Sequence, residues 1–219
     1  YYDVLRAIAD AKSEQTEATG IWISGFFGSG KSSFAKNLGY VLANHSVLGE
    51  NAGELFCRQV QDERITALVN YINTAIPTEV IMFDVAGVRD SRDSTERMSE
   101  LMYRNLLRAL DYADNFEIAE LEIDLEAEGV LDQFIHACEA RYGPWQTVRK
   151  TARNFNCASA ILHEMDPDTY PSADSWAKST TGRKAELTVD DLVSRVFDLM
   201  ERRRPGMALA FVIDEVGQY

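Results

Sequence analysis

Eight residues constrain this chain more than any others. Gly25-Phe26-Phe27-Gly28-Ser29-Gly30-Lys31-Ser32 fits G-x-x-x-x-G-K-[ST] at every fixed position, and Ser33 follows directly. Before it, Ile21 to Ser24 is a short apolar run of strand length; after it, Phe34, Leu38, Val41 and Leu42 recur on one helical stripe. The expected order is strand, glycine-rich loop, helix. Glycines let the backbone reach positive φ and turn successive N–H groups around an anion, while the helix that follows points its positive end at the same place. The amides of Gly25 to Ser33 would therefore hold the phosphates of a nucleotide. Lys31 would bridge the β- and γ-phosphate oxygens, and the Ser32 hydroxyl would be a ligand of Mg²⁺ in an octahedral shell at about 2.0–2.1 Å.

Such a loop calls for a second acid on the metal and a group to orient or deprotonate the attacking water. "MALAFVID" reads as an apolar strand ending in Asp214, with Glu215 one residue on. Asp214 is the expected metal-side acid and Glu215, with Lys31, the expected catalytic residue. A competitor is "FDVAG": Asp84-Val85-Ala86-Gly87 also ends an apolar strand and resembles the switch motif of GTPases. Those enzymes read guanine with Asn-Lys-x-Asp, and no such tetrapeptide occurs here. The Asp-Glu pair fits ATP hydrolysis directly, so the strand ending at Val85 is placed beside the one ending at Asp214.

Elsewhere the pattern is mostly helical. Val4, Leu5, Ile8 and Ala9 form a stripe within residues 3–12, and Ile65, Leu68, Val69 and Ile72 form another from Asp62 to Ala75, closed by Pro77. Val80 to Val85 has five apolar residues in six, the signature of a strand covered on both faces. A helix is expected over 93–113. "AELEIDLEAEG" suits either a strand or a helix and is assigned to a strand because Leu121, Ile123 and Leu125 alternate with acids. Three short helices are expected over Gly129 to Tyr142, Pro144 to Asn154 and Cys157 to Met165, then a long loop with one helical turn. Thr188 should cap a helix with Asp190 and Asp191 in its first turn and Arg202 to Arg204 at its end. Arg141, Arg149, Lys150 and Arg153 are read as a solvated helical face, Trp145 and Trp176 as packing residues, and His45, His136 and His163 as structural or exposed.

Composition narrows the setting. With 35 acids against 22 Lys and Arg the net charge is −13, a field that repels polyanions, so non-specific nucleic-acid binding by these residues is not expected. Cys57, Cys138 and Cys157 are odd in number and show no CxxC spacing, which points to a reducing cytoplasm rather than a disulfide framework or zinc site. No apolar run approaches the roughly 20 residues that span a bilayer. The chain starts at Tyr1-Tyr2 and stops just past an expected strand end, and it reads as a fragment of something longer.

The phosphate loop is generic; the longer stretches "EVIMFDV", "MYRNLLRALDYA", "AELEIDLE", "LHEMDPDTYPSADSWA" and "FVIDEVGQY" are not. With them the chain resembles the amino-proximal ATPase region of the large P-loop protein of bacteriophage-exclusion (BREX) systems, the BrxC/PglY family, over almost its whole length. The resemblance implies an α/β, AAA+-like P-loop NTPase with a parallel sheet. Residues 14–90 and 188–219 would be an incomplete core, interrupted by a mostly helical insertion over 91–187. It implies ATP and Mg²⁺ as cofactors, and Asp214-Glu215 as the acidic pair of the third strand. The partners implied are a DNA methyltransferase and other defence proteins. A homo-oligomer, and DNA contacts through the rest of a longer protein, are also implied. Both neighbours of the first strand, Gly20 to Ser24, would come from sequence after Tyr219, so these residues alone are not expected to turn over ATP. A nucleotide-dependent assembly switch with little turnover, and the GTPase using Asp84 to Gly87, are the alternatives.

Overall fold

A computed structural model describes residues 1–13, 20–85, 98–180 and 188–216. It is a mixed helix and strand structure with two small sheets. The chain divides into two compact units, Tyr1–Glu96 with Ser194–Tyr219, and Arg97–Val193.

In the first unit, α1 (Tyr2–Ser13), α2 (Lys31–Ala43), α3 (Ala52–Val60) and α4 (Glu63–Ala75) accompany two parallel strands, β3 (Thr78–Asp84) and β4 (Ala208–Asp214). A two-residue hairpin, β1 (Ser46–Val47) with β2 (Glu50–Asn51), precedes α3. The stripes read from the sequence meet in one cluster: Leu5 and Ala9 from α1, Leu38, Val41 and Leu42 from α2, and Ile65, Val69 and Ile72 from α4. Each Leu, Val or Ile among them taken fully from water contributes roughly 1.5–3 kcal/mol. Asp62 starts α4 by accepting from the amides of Arg64 (2.9 Å) and Ile65 (3.3 Å). Pro77 follows its end, and the Pro77 carbonyl accepts from the Ala208 amide at 2.8 Å, just where the parallel ladder begins. The register runs from Thr78 opposite Ala208 to Asp84 opposite Asp214.

Helix α2 lies close against this sheet. A Cβ built on Gly39 would sit 2.5 Å from the Met82 sulfur and 3.4 Å from Cγ2 of Val212, so glycine is what permits the approach. The expectation that β3 is covered on both faces fails here: Met82 is 36% exposed and Asp84 is exposed. Nor do Gly20 to Ser24 form a strand. A strand exists only through a ladder with a neighbour; this segment pairs with neither β3 nor β4, and Trp22 is 75% exposed.

The second unit holds α5 (Met98–Ala109), α6 (Phe116–Ala127), α7 (Leu131–Tyr142), α8 (Trp145–Val148), α9 (Asn154–Met165) and α10 (Ser175–Thr180). Helix α11 (Val189–Arg203) begins in this unit and continues into the first. The strand assigned to "AELEIDLEAEG" is wrong; the segment is helix α6. Asn115 accepts from the Ile118 amide at 2.9 Å and starts the helix, after which Ile118, Ala119, Leu121, Glu122 and Leu125 are buried on one stripe. The alternation of acids misled because one of them, Glu122, belongs to the core. Its carboxylate accepts from Trp145 Nε1 (2.6 Å), Arg149 Nη1 (2.9 Å) and the Ala113 amide (2.7 Å). Arg149 is therefore not on a solvated face, and its ion pair with Glu122 is buried, with side chains only 8% and 3% exposed. Trp145 also packs edge-on against Phe134, at 4.9 Å between centroids.

Other boundaries shift by a turn. The helix expected from Pro144 to Asn154 lasts only through Val148, and Asn154 opens α9 instead. Trp176 stacks on Phe155, while the buried Ser159 hydroxyl accepts from the amides of Trp176 and Ala177 and so anchors α10. His163 Nδ1 meets the Tyr170 carbonyl, a structural contact. Thr188 caps α11: its hydroxyl accepts from the Asp191 amide (3.1 Å), and the Asp191 carboxylate accepts from the Thr188 amide (3.2 Å). Arg204, past the helix end, donates to Glu79 at 3.0 Å. The start of the helix expected at residue 93 lies outside the described residues.

Candidate functional site

The glycine-rich turn is built by two left-handed residues. Gly28 has φ 78° and Gly30 φ 88°, values that cost a side-chain-bearing residue roughly 1–2 kcal/mol, and the Ser29 amide closes the turn onto the Phe26 carbonyl at 3.2 Å. Gly25 lies close under the Ser29 side chain: a Cβ there would be 2.7 Å from the Ser29 hydroxyl, which would have to rotate away. Gly30 then leads into α2, whose amino end has no side-chain cap and no acid in its first turn. The first amides of a helix have no intrahelical acceptor, so those of Lys31, Ser32 and Ser33 are available to an anion at the positive end of the dipole. Lys31 folds back over the loop, and its ammonium donates to the carbonyls of Gly25 (3.0 Å) and Phe26 (2.9 Å). Phe26 and Phe27 direct their rings into solvent, the first 91% exposed, so both serve the loop through backbone alone.

Ser32 joins the two ends of the chain. Its hydroxyl donates to Asp214 Oδ1 at 3.0 Å, across 182 residues of sequence and at a partly buried position. A serine hydroxyl and an aspartate carboxylate at this distance, beside an uncapped helix start and a lysine, are a hard oxygen donor set of the kind Mg²⁺ takes. The residues thus fit the magnesium nucleotide that the sequence motif calls for. Held by Ser32 and Asp214, such a cation would supply positive charge to neutralise a nucleotide's phosphates.

Glu215 meets this group through its backbone amide. It has φ 59°, it is exposed, and its amide donates to Asp214 Oδ1 at 3.0 Å. That bond fixes the Asp214 carboxylate from the strand end while the Ser32 hydroxyl holds it from the helix. Ser33 is exposed in the first turn of α2. Asp84 is level with Asp214 on the neighbouring strand, and the Val85 amide donates to the Asp214 carbonyl at 3.2 Å. Ala86 and Gly87 of the competing motif lie outside the described residues.

No protein-family model matches the chain, and no solved structure matches it.

Away from this site, a groove of about 460 Å³ is lined by Gln61, Asp62, Glu63, Thr66, Ala67 and Asn70 and contains none of the loop residues. No group of three or more metal-ligating His, Cys, Asp or Glu occurs among the described residues, and no helix there is long and apolar enough to cross a membrane. The strand ending at Val85 lies beside the one ending at Asp214, as the sequence suggests, but the register that sets Asp84 level with Asp214 has no local signature.

Proposed function

We propose that this chain binds ATP with Mg²⁺ and belongs to a P-loop ATPase of a BREX-type antiphage defence system. The reading rests on the Ser32–Asp214 hydrogen bond, which joins the residue after the loop lysine to the acid at the end of β4. In it, the loop amides and Lys31 hold the phosphates, Ser32 and Asp214 hold the metal, and Glu215 orients or deprotonates water. Its partners would be other defence proteins, including a DNA methyltransferase, and further copies of itself. DNA would be reached through the longer protein, and the location would be cytoplasmic.

Lys31→Ala should abolish binding of a fluorescent ATP analogue. Glu215→Gln should leave binding intact and lower steady-state hydrolysis by the complete protein by roughly 10²- to 10⁴-fold, the usual contribution of a positioned base. Hydrolysis unchanged by Glu215→Gln would remove that residue from the reading; binding unchanged by Lys31→Ala would remove the whole of it.

A nucleotide-dependent assembly switch is favoured by one observation, the exposed Glu215 joined to Asp214 through its backbone amide. ATP-dependent assembly in light scattering, without DNA-stimulated turnover, would support the switch. A GTPase reading is disfavoured because Ser32 bonds Asp214; preferential competition by guanine nucleotides would restore it.

A further inference from the structure

Helix α2 meets the parallel pair along one face, and that face grades from core to solvent. Val80 and Ala210 pack against the apolar cluster of the first unit. Side chains two apart on a strand share a face, so Met82 and Val212 come next, both against Gly39, and Asp214 follows, bonded to Ser32. Ser32 and Gly39 are two turns apart on α2 and lie on the same side of the helix. Met82 thus stands between the core and the Ser32–Asp214 pair, in a seat shaped by glycine: a Cβ on Gly39 would be 2.5 Å from its sulfur and 3.2 Å from its Cγ. Of the chain's six methionines, all among the described residues, Met82 alone is exposed; Met200 is buried and the others are half-buried.

A thioether open to solvent is the one an oxidant reaches first. This one differs from an ordinary surface methionine because its sulfur also packs against the helix that begins at the glycine-rich loop. Oxidation to the sulfoxide turns a flexible apolar side chain into a larger, polar one. Either the new oxygen is turned against α2, or the side chain leaves its seat to hydrate it, and both loosen the contact. We propose that Met82 is a reversible oxidation site that controls how α2 seats on the sheet, and with it the Ser32–Asp214 contact. The oxidant is a hydroperoxide. A sulfur lone pair forms the S–O bond as the O–O bond breaks; sulfur gives up two electrons, and the second peroxide oxygen leaves as water or, from an organic hydroperoxide, as an alcohol. A thiol-dependent sulfoxide reductase reverses the step: two thiols become a disulfide, the oxygen leaves as water and the thioether returns. The link to nucleotide binding rests on the reading above, whereas the oxidation and its effect on packing do not.

The test treats the complete protein with graded hydrogen peroxide, alongside Met82→Leu, a volume-conserving change that removes the sulfur. Peptide mass spectrometry maps the added oxygen, and thermal unfolding and binding of a fluorescent ATP analogue with MgCl₂ read its effect. Met82 should gain oxygen before any other methionine of this chain. The oxidised parent should unfold at a lower temperature and bind the analogue roughly tenfold more weakly, the scale of an overpacked contact. Sulfoxide reductase should restore both, and Met82→Leu should show neither change. Met82→Gln, close to the sulfoxide in length and polarity, should weaken binding without peroxide, with circular dichroism monitoring its fold. Prior oxidation of another methionine of this chain overturns the proposal, as does an equal loss in Met82→Leu, or oxidation of Met82 that leaves unfolding and binding unchanged. A parent protein that ignores the analogue, or a Lys31→Ala variant that binds it equally, overturns the nucleotide reading instead, and thermal unfolding then decides the oxidation proposal by itself.

Discussion

Replacing Glu122 by Gln tests the core of the second unit at one atom pair. The carboxylate serves three buried donors: Trp145 Nε1 and Arg149 Nη1 on one oxygen, and the Ala113 amide on the other. A glutamine has one acceptor oxygen, and its NH₂ must face either the Ala113 amide or the Trp145–Arg149 pair. At least one buried donor then loses its acceptor, at about 1–3 kcal/mol. The Arg149 charge also loses its counter-ion, and breaking a buried pair from one side costs about 3–5 kcal/mol. These effects overlap through shared atoms, so the expected loss is about 3–5 kcal/mol in all rather than their sum. Against the roughly 5–15 kcal/mol of a typical domain, that is a large share. Arg149 Nε is buried without a hydrogen-bond partner, so the pair is imperfectly satisfied even in the native state. Removing both charges should therefore be milder than removing one. Urea unfolding followed by tryptophan fluorescence, with Trp145 inside the network, measures Glu122→Gln, Arg149→Met and the double variant. If Glu122→Gln falls within about 0.5 kcal/mol of the parent, or if the two changes simply add, the network does not carry the unit in the way described.

Two further predictions follow from packing and burial. Gly39→Val should destabilise the first unit by about 1–3 kcal/mol in chemical denaturation, because its side chain must displace Met82 and Val212; Met82→Ala should restore part of the loss. Burial pushes the Cys138 thiol up to about 11, with nearby Cys157 adding to the shift. The folded state therefore holds this proton more tightly than the unfolded chain, so its contribution to stability is complete below the ordinary thiol range and is lost as pH rises from about 9 toward 11. An alkylating reagent at neutral pH should modify the half-buried Cys57 first and reach Cys138 only on unfolding; rapid alkylation of Cys138 in the native protein would contradict this.

Much of the local structure could be read directly. Where one face of a helix is apolar at a period near 3.6, as in α1, α2 and α4, the stripe and the buried set nearly coincide. Thr188 and Asp191 likewise encode their helix start within four residues. The failures share a cause, since each residue misread takes its partner from far along the chain. Glu122 looked like an exposed acid in an alternating pattern until Arg149 and Trp145 were placed beside it, and Arg149 looked solvated for the same reason. Gly20 to Ser24 has a strand's composition and no ladder to join.

The candidate site divides along the same line. Loop chemistry is local: the order of Gly25, Gly28, Gly30, Lys31 and Ser32 determines a turn with positive φ and a helix whose first amides point outward, whatever the rest of the chain does. Whether Asp214 or Asp84 meets Ser32 is not written in either motif. That choice was made by the parallel register of β3 and β4 and by the close seat of α2 at Gly39, because hydrogen bonds reach only about 3 Å and sequence separation says nothing about which groups come within it.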